Sequence, residues 1–207
     1  MSFQFEPFKN DWLYYGDLFD SYSQTLEYRT ALDTEFFESL RFDQETLRQY
    51  RIDAALSSSK QLGANPVLCL SGGIDSQAMV QAWKEAGLKF DVAIGVFSDN
   101  LNIQDVDHAR LFCKKHNITP IEVNIDVVSF LTRESVLFGE KYRCTSPHFN
   151  THYKLFDMLR EIGYTGICCG GTAFAKGKDN WGPVPSPAQM NYVEYVRLND
   201  YPVVGNF

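Results

Sequence analysis

Short apolar runs alternate with stretches of helical period along most of this chain. From about Asp43 to Leu62, Leu47, Tyr50, Ala54 and Ala55 recur at helix spacing, and Gly63 stops the run. Pro66-Val67-Leu68-Cys69-Leu70 is wholly apolar and predicts a buried strand. A helix is expected from about Ser76 to Ala86, ended by Gly87. Asp91 to Phe97 predicts a second buried strand, Asp105 to His116 a helix, and Thr119 to Ile125 a third strand. Asp126 to Leu137 is expected to be helical. Ser146 and Pro147 suit the N-cap and first turn of a helix reaching Ile162, with Gly163 as its stop. Tyr164 to Cys169 predicts a further strand. Strands that alternate with helices imply a parallel sheet with both faces covered. Right-handed crossovers make such a sheet doubly wound, so the expected fold class is α/β with about five parallel strands.

The two ends are less regular. Residues 1–39 are aromatic and acidic, with Trp12, Tyr14, Tyr15, Phe19, Tyr22, Phe36 and Phe37, and show no single period. They predict an N-terminal annex, either a small meander or helical. The tail from Trp181 to Phe207 is proline-rich and ends on an apolar Val203-Val204-Gly205-Asn206-Phe207. Such an end is expected to pack, covering the substrate site, unless the chain is cut from a longer one. The expected organisation is an annex with lead-in helix over 1–62, a ligand-binding domain over 63–180, and a packed tail over 181–207.

Composition narrows the function. With 207 residues and 44% hydrophobic positions there is enough for a real core and nothing that suggests disorder. The net charge of −7 argues against broad binding of a nucleic-acid backbone, and no basic patch is visible along the chain. There is no apolar run of membrane-spanning length, and Met1 to Glu6 has neither the basic region nor the apolar core of a signal peptide. The five cysteines are odd in number and sit partly in strand runs, which reads as buried thiols of a cytoplasmic protein. Cys168 and Cys169 alternate faces of one strand and do not suit a redox pair.

Ser71-Gly72-Gly73-Ile74-Asp75-Ser76 carries the chemistry. It stands between a predicted strand and a predicted helix. That layout offers free backbone N–H groups and the positive end of a helix dipole to an anion. Paired glycines let a ligand approach the backbone, and Ser71 and Ser76 add hydroxyls. Asp75 would repel a phosphate unless a magnesium ion lay between them.

This hexapeptide resembles the SGGxDS signature of the PP-loop ATP pyrophosphatases, which include synthetase domains of asparagine, GMP and NAD synthetases and several tRNA-modifying enzymes. All five fixed positions match. The resemblance implies an adenine nucleotide alpha hydrolase-like sheet, often of strand order 3-2-1-4-5. It implies ATP held by Ser71, Gly72, Gly73, Asp75 and Ser76, Mg²⁺ at Asp75, and cleavage between the α and β phosphates. It also implies that Val96, Phe97 and Ser98 frame the adenine through the backbone. Gly170, Gly171 and Thr172 would form a glycine loop near the α-phosphate.

Other groups were weighed beside these. Lys176 and Lys178 could neutralise a leaving pyrophosphate or simply stand in a solvated loop. Asp179 is a second candidate magnesium carboxylate. Asp99 could serve the ribose or cap a turn. Cys144, His148 and His152 have zinc-like spacing, but Pro147 puts Cys144 outside the helix, and HxxxH lacks the glutamate of a zinc protease. Tyr142, Arg143 and His148 are candidate substrate contacts, Arg143 for a carboxylate.

The expected function is ATP-dependent adenylation of a small-molecule substrate, releasing pyrophosphate and then AMP as an amine or ammonia enters. The nearest resemblance is to asparagine-synthetase-like domains. The glutaminase domain usual there does not fit in this sequence, and Cys169-Gly170-Gly171-Thr172 departs from the acidic glycine loop of that family. Ammonia would then be free or delivered by a partner. The alternatives are a non-catalytic ATP- or AMP-binding regulatory module, or a tRNA-modifying enzyme. Homo-oligomer formation is left open.

Overall fold

The computed structural model describes residues 44–170, 174–176, 181–183 and 187–205. The expected N-terminal annex, apart from the helix that follows it, lies outside them. Helix α1 spans Gln44–Leu62. It leads into β1, Pro66–Cys69, followed by α2, Ile74–Glu85, and β2, Asp91–Phe97. Next come α3, Ile103–His116, and β3, Ile121–Ile125. A short helical turn at Val127–Ser129 and a π-helical turn at Phe130–Glu134 precede α4, Ser135–Tyr142. Helix α5, Pro147–Ile162, leads to β4, Gly166–Cys169. Later elements are β5, Phe174–Lys176, β6, Trp181–Pro183, α6, Pro187–Asn199, and β7, Val203–Val204.

The five-stranded sheet has the order β3-β2-β1-β4-β7, and every pairing in it is parallel. The chain builds outward from β1 to β3 and then crosses to β4 on the other side of β1. The order therefore reverses between β1 and β4, and the carboxyl ends of the strands flank that point. This is the doubly wound α/β sheet that the apolar runs predicted.

Period-two alternation divides the core into two layers. Leu68, Leu70, Val92, Ile94 and Cys168 face one layer with Met79, Val80 and Trp83 of α2 and Val106, Ala109 and Cys113 of α3. Val67, Ala93, Val123 and Ile167 face the other, with Tyr153, Phe156 and Leu159 of α5 and Tyr192 and Tyr195 of α6. Each large side chain buried in these layers contributes about 1.5–3 kcal/mol. The second layer buries hydroxyls as well; those of Tyr153 and Tyr201 have no hydrogen-bond partner among the described residues, whereas others are bonded. Tyr195 donates to Asp157 Oδ1 at 2.7 Å and Tyr164 to Asp91 Oδ2 at 3.0 Å.

Local readings differ in three places. The buried face of α1 is Ala55, Ser58 and Leu62, while Tyr50 is 59% exposed. Ser146 precedes α5, but its side chain makes no capping bond, so Pro147 in the first turn is the remaining start signal. The tail contributes a helix and the fifth strand, for which the sequence reading had no element. β7 is only two residues long and α6 has mixed polarity, so neither leaves a strong periodic signal.

Contacts divide the chain into one unit of residues 47–173 and 185–207, and another of 1–46 and 174–184. In the second unit β5 and β6 form an antiparallel pair, with Lys176 opposite Trp181.

The starts of β1 and β4 are tied together. Asn65 N donates to Thr165 Oγ1 at 2.9 Å, Thr165 N donates to Asn65 O at 2.9 Å, and Thr165 Oγ1 donates to Leu62 O at 2.9 Å. Gly166 sits beneath the end of α1, where an added Cβ would lie 2.7 Å from Leu62 O and 2.8 Å from Leu62 Cα. Both are backbone atoms. Gly166→Ala is expected to lower stability by about 1–3 kcal/mol, read as a lower urea midpoint with an unchanged slope.

Candidate nucleotide site

The chain leaves β1 at Leu70, whose N–H still reaches Ala93 O at 2.9 Å, and turns into α2 through Ser71, Gly72 and Gly73. Ser76 Oγ organises the turn. It accepts from Ser71 N at 3.2 Å, donates to Gly73 O at 2.9 Å and lies 3.1 Å from Ser71 Oγ. Gln77 Nε2 donates to Gly72 O at 2.7 Å. The carbonyls of Gly72 and Gly73 are thus drawn inward, and in a trans peptide the following N–H points the opposite way. Helix α2 begins without a side-chain cap. Its first amides have no intrahelical acceptor and remain available to an anion.

Two glycines make this arrangement possible. Gly72 has φ +88°, and a Cβ there would run into the Asp105 carbonyl in the first turn of α3. Gly170, just past β4, would place a Cβ 3.0 Å from the backbone of Asp75 and Ser76. The start of α2 is therefore held between the exits of β2 and β4.

A cavity of about 690 Å³ opens at this edge of the sheet, lined in part by Ser71, Ser76, Phe97, Asp105, His148 and Gly170. Its far wall is one face of α5 with Tyr192 of α6. The structure thus brings Ser71, Ser76, Phe97, His148 and Gly170 together, as their sequence positions suggested. Asp75 is exposed next to Ser76. Val96 packs against the α2–α3 layer instead, and Ser98 Oγ reaches Asp126 Oδ1 at 3.5 Å. The Phe97 N–H is already engaged, donating to Asn102 Oδ1 at 2.9 Å, while Asn102 Nδ2 donates to Gly95 O at 2.9 Å. Asp99 adopts a left-handed turn with φ +56°, a conformation that Asp tolerates.

Arg143 is placed away from the cavity lining. Its side chain is 83% exposed, with Nε 3.9 Å from Glu194 Oε1. Gly171, Thr172, Lys178 and Asp179 lie outside the described residues. Lys176 falls in β5, with its side chain likewise outside the description. Cys144 turns its thiol to Ser146 O at 3.7 Å, and among the described residues no group of three or more metal-ligating side chains converges.

Asn102, Asp105, His152 and Tyr192 are among the cavity residues not anticipated in this role. Asp105 had a usable signal, because a helix start after a strand's carboxyl end faces the ligand edge of such a sheet. Tyr192 had none. His152 Nδ1 and Tyr192 OH are 2.7 Å apart, and the His148 ring lies beside His152 with centroids 4.4 Å apart. Burial, and secondarily the neighbouring His148, push His152 down to about 4. Burial, and then the nearby thiols of Cys169 and Cys69, push the Tyr192 hydroxyl up. Both are neutral at pH 7, and Asp105 is the one acidic side chain among the described lining residues.

No protein-family model matches the chain, and no curated protein matches it. Solved structures do resemble it. An NH3-dependent NAD synthetase from Campylobacter jejuni shares 18% identity at a TM-score of 0.45, over 63% of this chain and 58% of that one. An NMN synthetase from Francisella tularensis shares 18% at 0.47, over 78% and 72%. The U34-tRNA thiolase NcsA from Methanococcus maripaludis, solved with its [4Fe-4S] cluster, shares 17% at 0.43, over 62% and 47%. The chain thus spans 58% of the Campylobacter protein's length. The SGGxDS signature stands here on a strand–loop–helix in a parallel sheet of order β3-β2-β1-β4-β7, which is 3-2-1-4-5 when its strands are counted within that sheet, the setting that its resemblance to the PP-loop superfamily implied.

Gly72→Ala is expected to dislodge the loop from α3 and weaken anion binding at least about tenfold, since a strained φ and a backbone clash coincide; isothermal titration with nucleotide measures it. His152 supplies a pH test. Its folded pKa lies below its unfolded value of 6.5, so the unfolded chain binds the extra proton first. The contribution is intact above about pH 6.5 and is lost as pH falls toward 4, amounting to about 3 kcal/mol at most. The urea midpoint should drop between pH 7 and 4.5, and drop less in His152→Asn.

Proposed function

We propose that this chain is a PP-loop ATP pyrophosphatase that adenylates a small-molecule acceptor. The observation that carries the reading is the uncapped start of α2. It is entered through Ser71-Gly72-Gly73 and pressed by Gly170 at the edge where the strand order reverses. ATP places its β and γ phosphates on the amides of this loop, with the adenosine in the cavity toward Phe97. An acceptor oxygen attacks the α-phosphorus, and the bond to the bridging oxygen breaks. Pyrophosphate leaves with the electron pair. Ammonia or an amine, free or supplied by a partner, then displaces AMP. No side-chain nucleophile is needed, because positioning and electrostatics supply the acceleration.

The donor set suits Mg²⁺. Asp75 is exposed in the first turn of α2, and Asp105 lines the cavity beside the loop. One or two carboxylates plus phosphate oxygens are the usual protein contribution to a magnesium site. When bound, the ion offsets the charge that builds on the phosphates. Lys176 and Lys178 are assigned to the leaving pyrophosphate, and Gly170, Gly171 and Thr172 to the α-phosphate, with Asp179 in reserve as a magnesium ligand. The acceptor takes the lobe lined by His148, Thr151, His152 and Tyr192. Neutral His152, oriented by Tyr192, can hydrogen-bond it without adding charge.

No described helix is long and apolar enough to cross a membrane, and catalysis in the cytoplasm fits the five unpaired thiols.

The test uses Mg²⁺ and ATP labelled at the α and γ positions, with a panel of carboxylate and amide acceptors and ammonia. AMP and pyrophosphate are expected, and Asp75→Ala should lower the rate about 100-fold or more. ADP and phosphate would refute the mechanism. Saturable binding with no product from any acceptor would favour a binding module.

A further inference from the structure

Two thiols face each other where the strand order reverses. Cys69 ends β1, Cys169 ends β4, and they are in-register partners of a parallel pair. In-register residues of neighbouring strands project to the same face at a spacing of about 4.7–4.9 Å. Disulfides span Cα separations of about 4.4–6.8 Å, so this spacing admits one. The neighbouring Cys69 thiol, with burial, holds Cys169 well above the ordinary thiol value. Both residues are half-buried and both line the cavity, so a small reagent reaches them from one space. The other three differ. Cys113, Cys144 and Cys168 are 1%, 3% and 0% exposed, and Cys168 belongs to the opposite layer.

We propose that Cys69 and Cys169 form an oxidisable dithiol, a modification site for low-molecular-weight disulfides, and that closing it deforms the Ser71–Ser76 loop. One protein thiolate attacks a sulfur of glutathione disulfide, whose S–S bond breaks and releases one glutathione. The second protein thiolate attacks the protein sulfur of the mixed disulfide and releases the other. The protein loses two electrons and two protons, and glutathione disulfide becomes two thiols.

Closure acts on the loop through geometry. Disulfide Cβ atoms lie about 3.5–4.5 Å apart, closer than parallel neighbours stand, so the strand ends must move together. Cys69 leads within two residues to Ser71. Cys169 is followed by Gly170, which has no slack against Ser76, since even a Cβ there would lie 3.0 Å from Ser76 N. Movement at either cysteine is therefore passed to the hydroxyl that organises the turn. The effect on nucleotide affinity rests on the ATP reading above, whereas the cross-link and the loop movement do not.

The full chain is equilibrated in reduced and oxidised glutathione, free thiols are alkylated, and peptides are mapped by mass. A Cys69–Cys169 link is expected, with Cys113, Cys144 and Cys168 alkylated. Hydrogen exchange over Ser71 to Gln77 should change on oxidation with no nucleotide present. Mg-ATP affinity should fall about tenfold, and Mg-ATP should oppose closure by the same factor. Cys69→Ser and Cys169→Ser should each prevent the link and the exchange change. Glutathione adducts without a link, or a link with unchanged loop exchange, would overturn the proposal. If the reduced chain binds no ATP, the nucleotide reading falls, and the mapping and exchange results still decide the dithiol.

Discussion

The first turn of α2 is pressed between two backbones, and the site depends on that contact. Gly72 lies against the Asp105 carbonyl, and Gly170 lies against the backbone of Asp75 and Ser76. A parallel sheet sends every strand out at the same edge, so the exits of β1, β2 and β4 crowd together there. Ordinary residues would force them apart. Glycines let them close, and Ser76 Oγ then takes the inward polar groups of the turn. What remains is a helix start whose amides are positioned but not used. Leaving them without partners costs little only where water or an anion can reach them.

The two core layers have different work. The layer on α2 and α3 is largely hydrocarbon, with Trp83 and Met79 fully buried, and it holds the loop's helix rigid. The layer on α5 and α6 is rich in tyrosine. The hydroxyls of Tyr195, Tyr164 and Tyr192 are fixed by Asp157, Asp91 and His152, so the directions of these three are set. The cavity's far wall belongs to this second layer. Tyr192 joins it to the tail, because its ring packs on Gly205 directly after β7. An acceptor in that lobe would meet polar groups of fixed orientation and little net charge.

The reach of sequence reasoning follows from these contacts. Strands β1, β2 and β4 were legible because each is a short, largely apolar run bounded by turn residues, β3 because Ile121 to Ile125 alternates apolar and polar, and β2 has the bounds expected, Asp91–Phe97. The Ser71–Ser76 loop was legible because its pattern is local: strand, glycines and helix are contiguous. The cavity wall was not. His152 and Tyr192 are 40 positions apart, and neither carries a pattern that marks the contact. Arg143 was attractive for its charge, yet the left-handed end of α4 carries it out to solvent beside Glu194. Asn102 falls between the second predicted strand and the helix expected from Asp105, and its bonds that close the end of β2 follow the left-handed Asp99 and Asn100. The cysteines were read by strand alternation within one run, which excluded Cys168 with Cys169 correctly. That reading could not see that Cys69 on the neighbouring strand is the in-register partner.

Electrostatics constrain the proposed chemistry most tightly. A helix start carries roughly half a positive charge, and the cavity wall has no lysine or arginine among its described residues. Asp75 and Asp105 add negative charge near the place assigned to the phosphates. On that balance a triphosphate alone would meet net repulsion at close range. A divalent cation held by the same carboxylates reverses the sign, turning each from a repulsive neighbour into an anchor. Asp75 is therefore best understood with Gly73 and Ser76 as one device. The glycine leaves the amides open, the serine locks the turn, and on the proposed reading the carboxylate would make phosphate binding conditional on metal. A first-turn carboxylate also suits the helix dipole, so on the proposed reading the added role of Asp75 is to favour a metal-bound nucleotide over a bare phosphate.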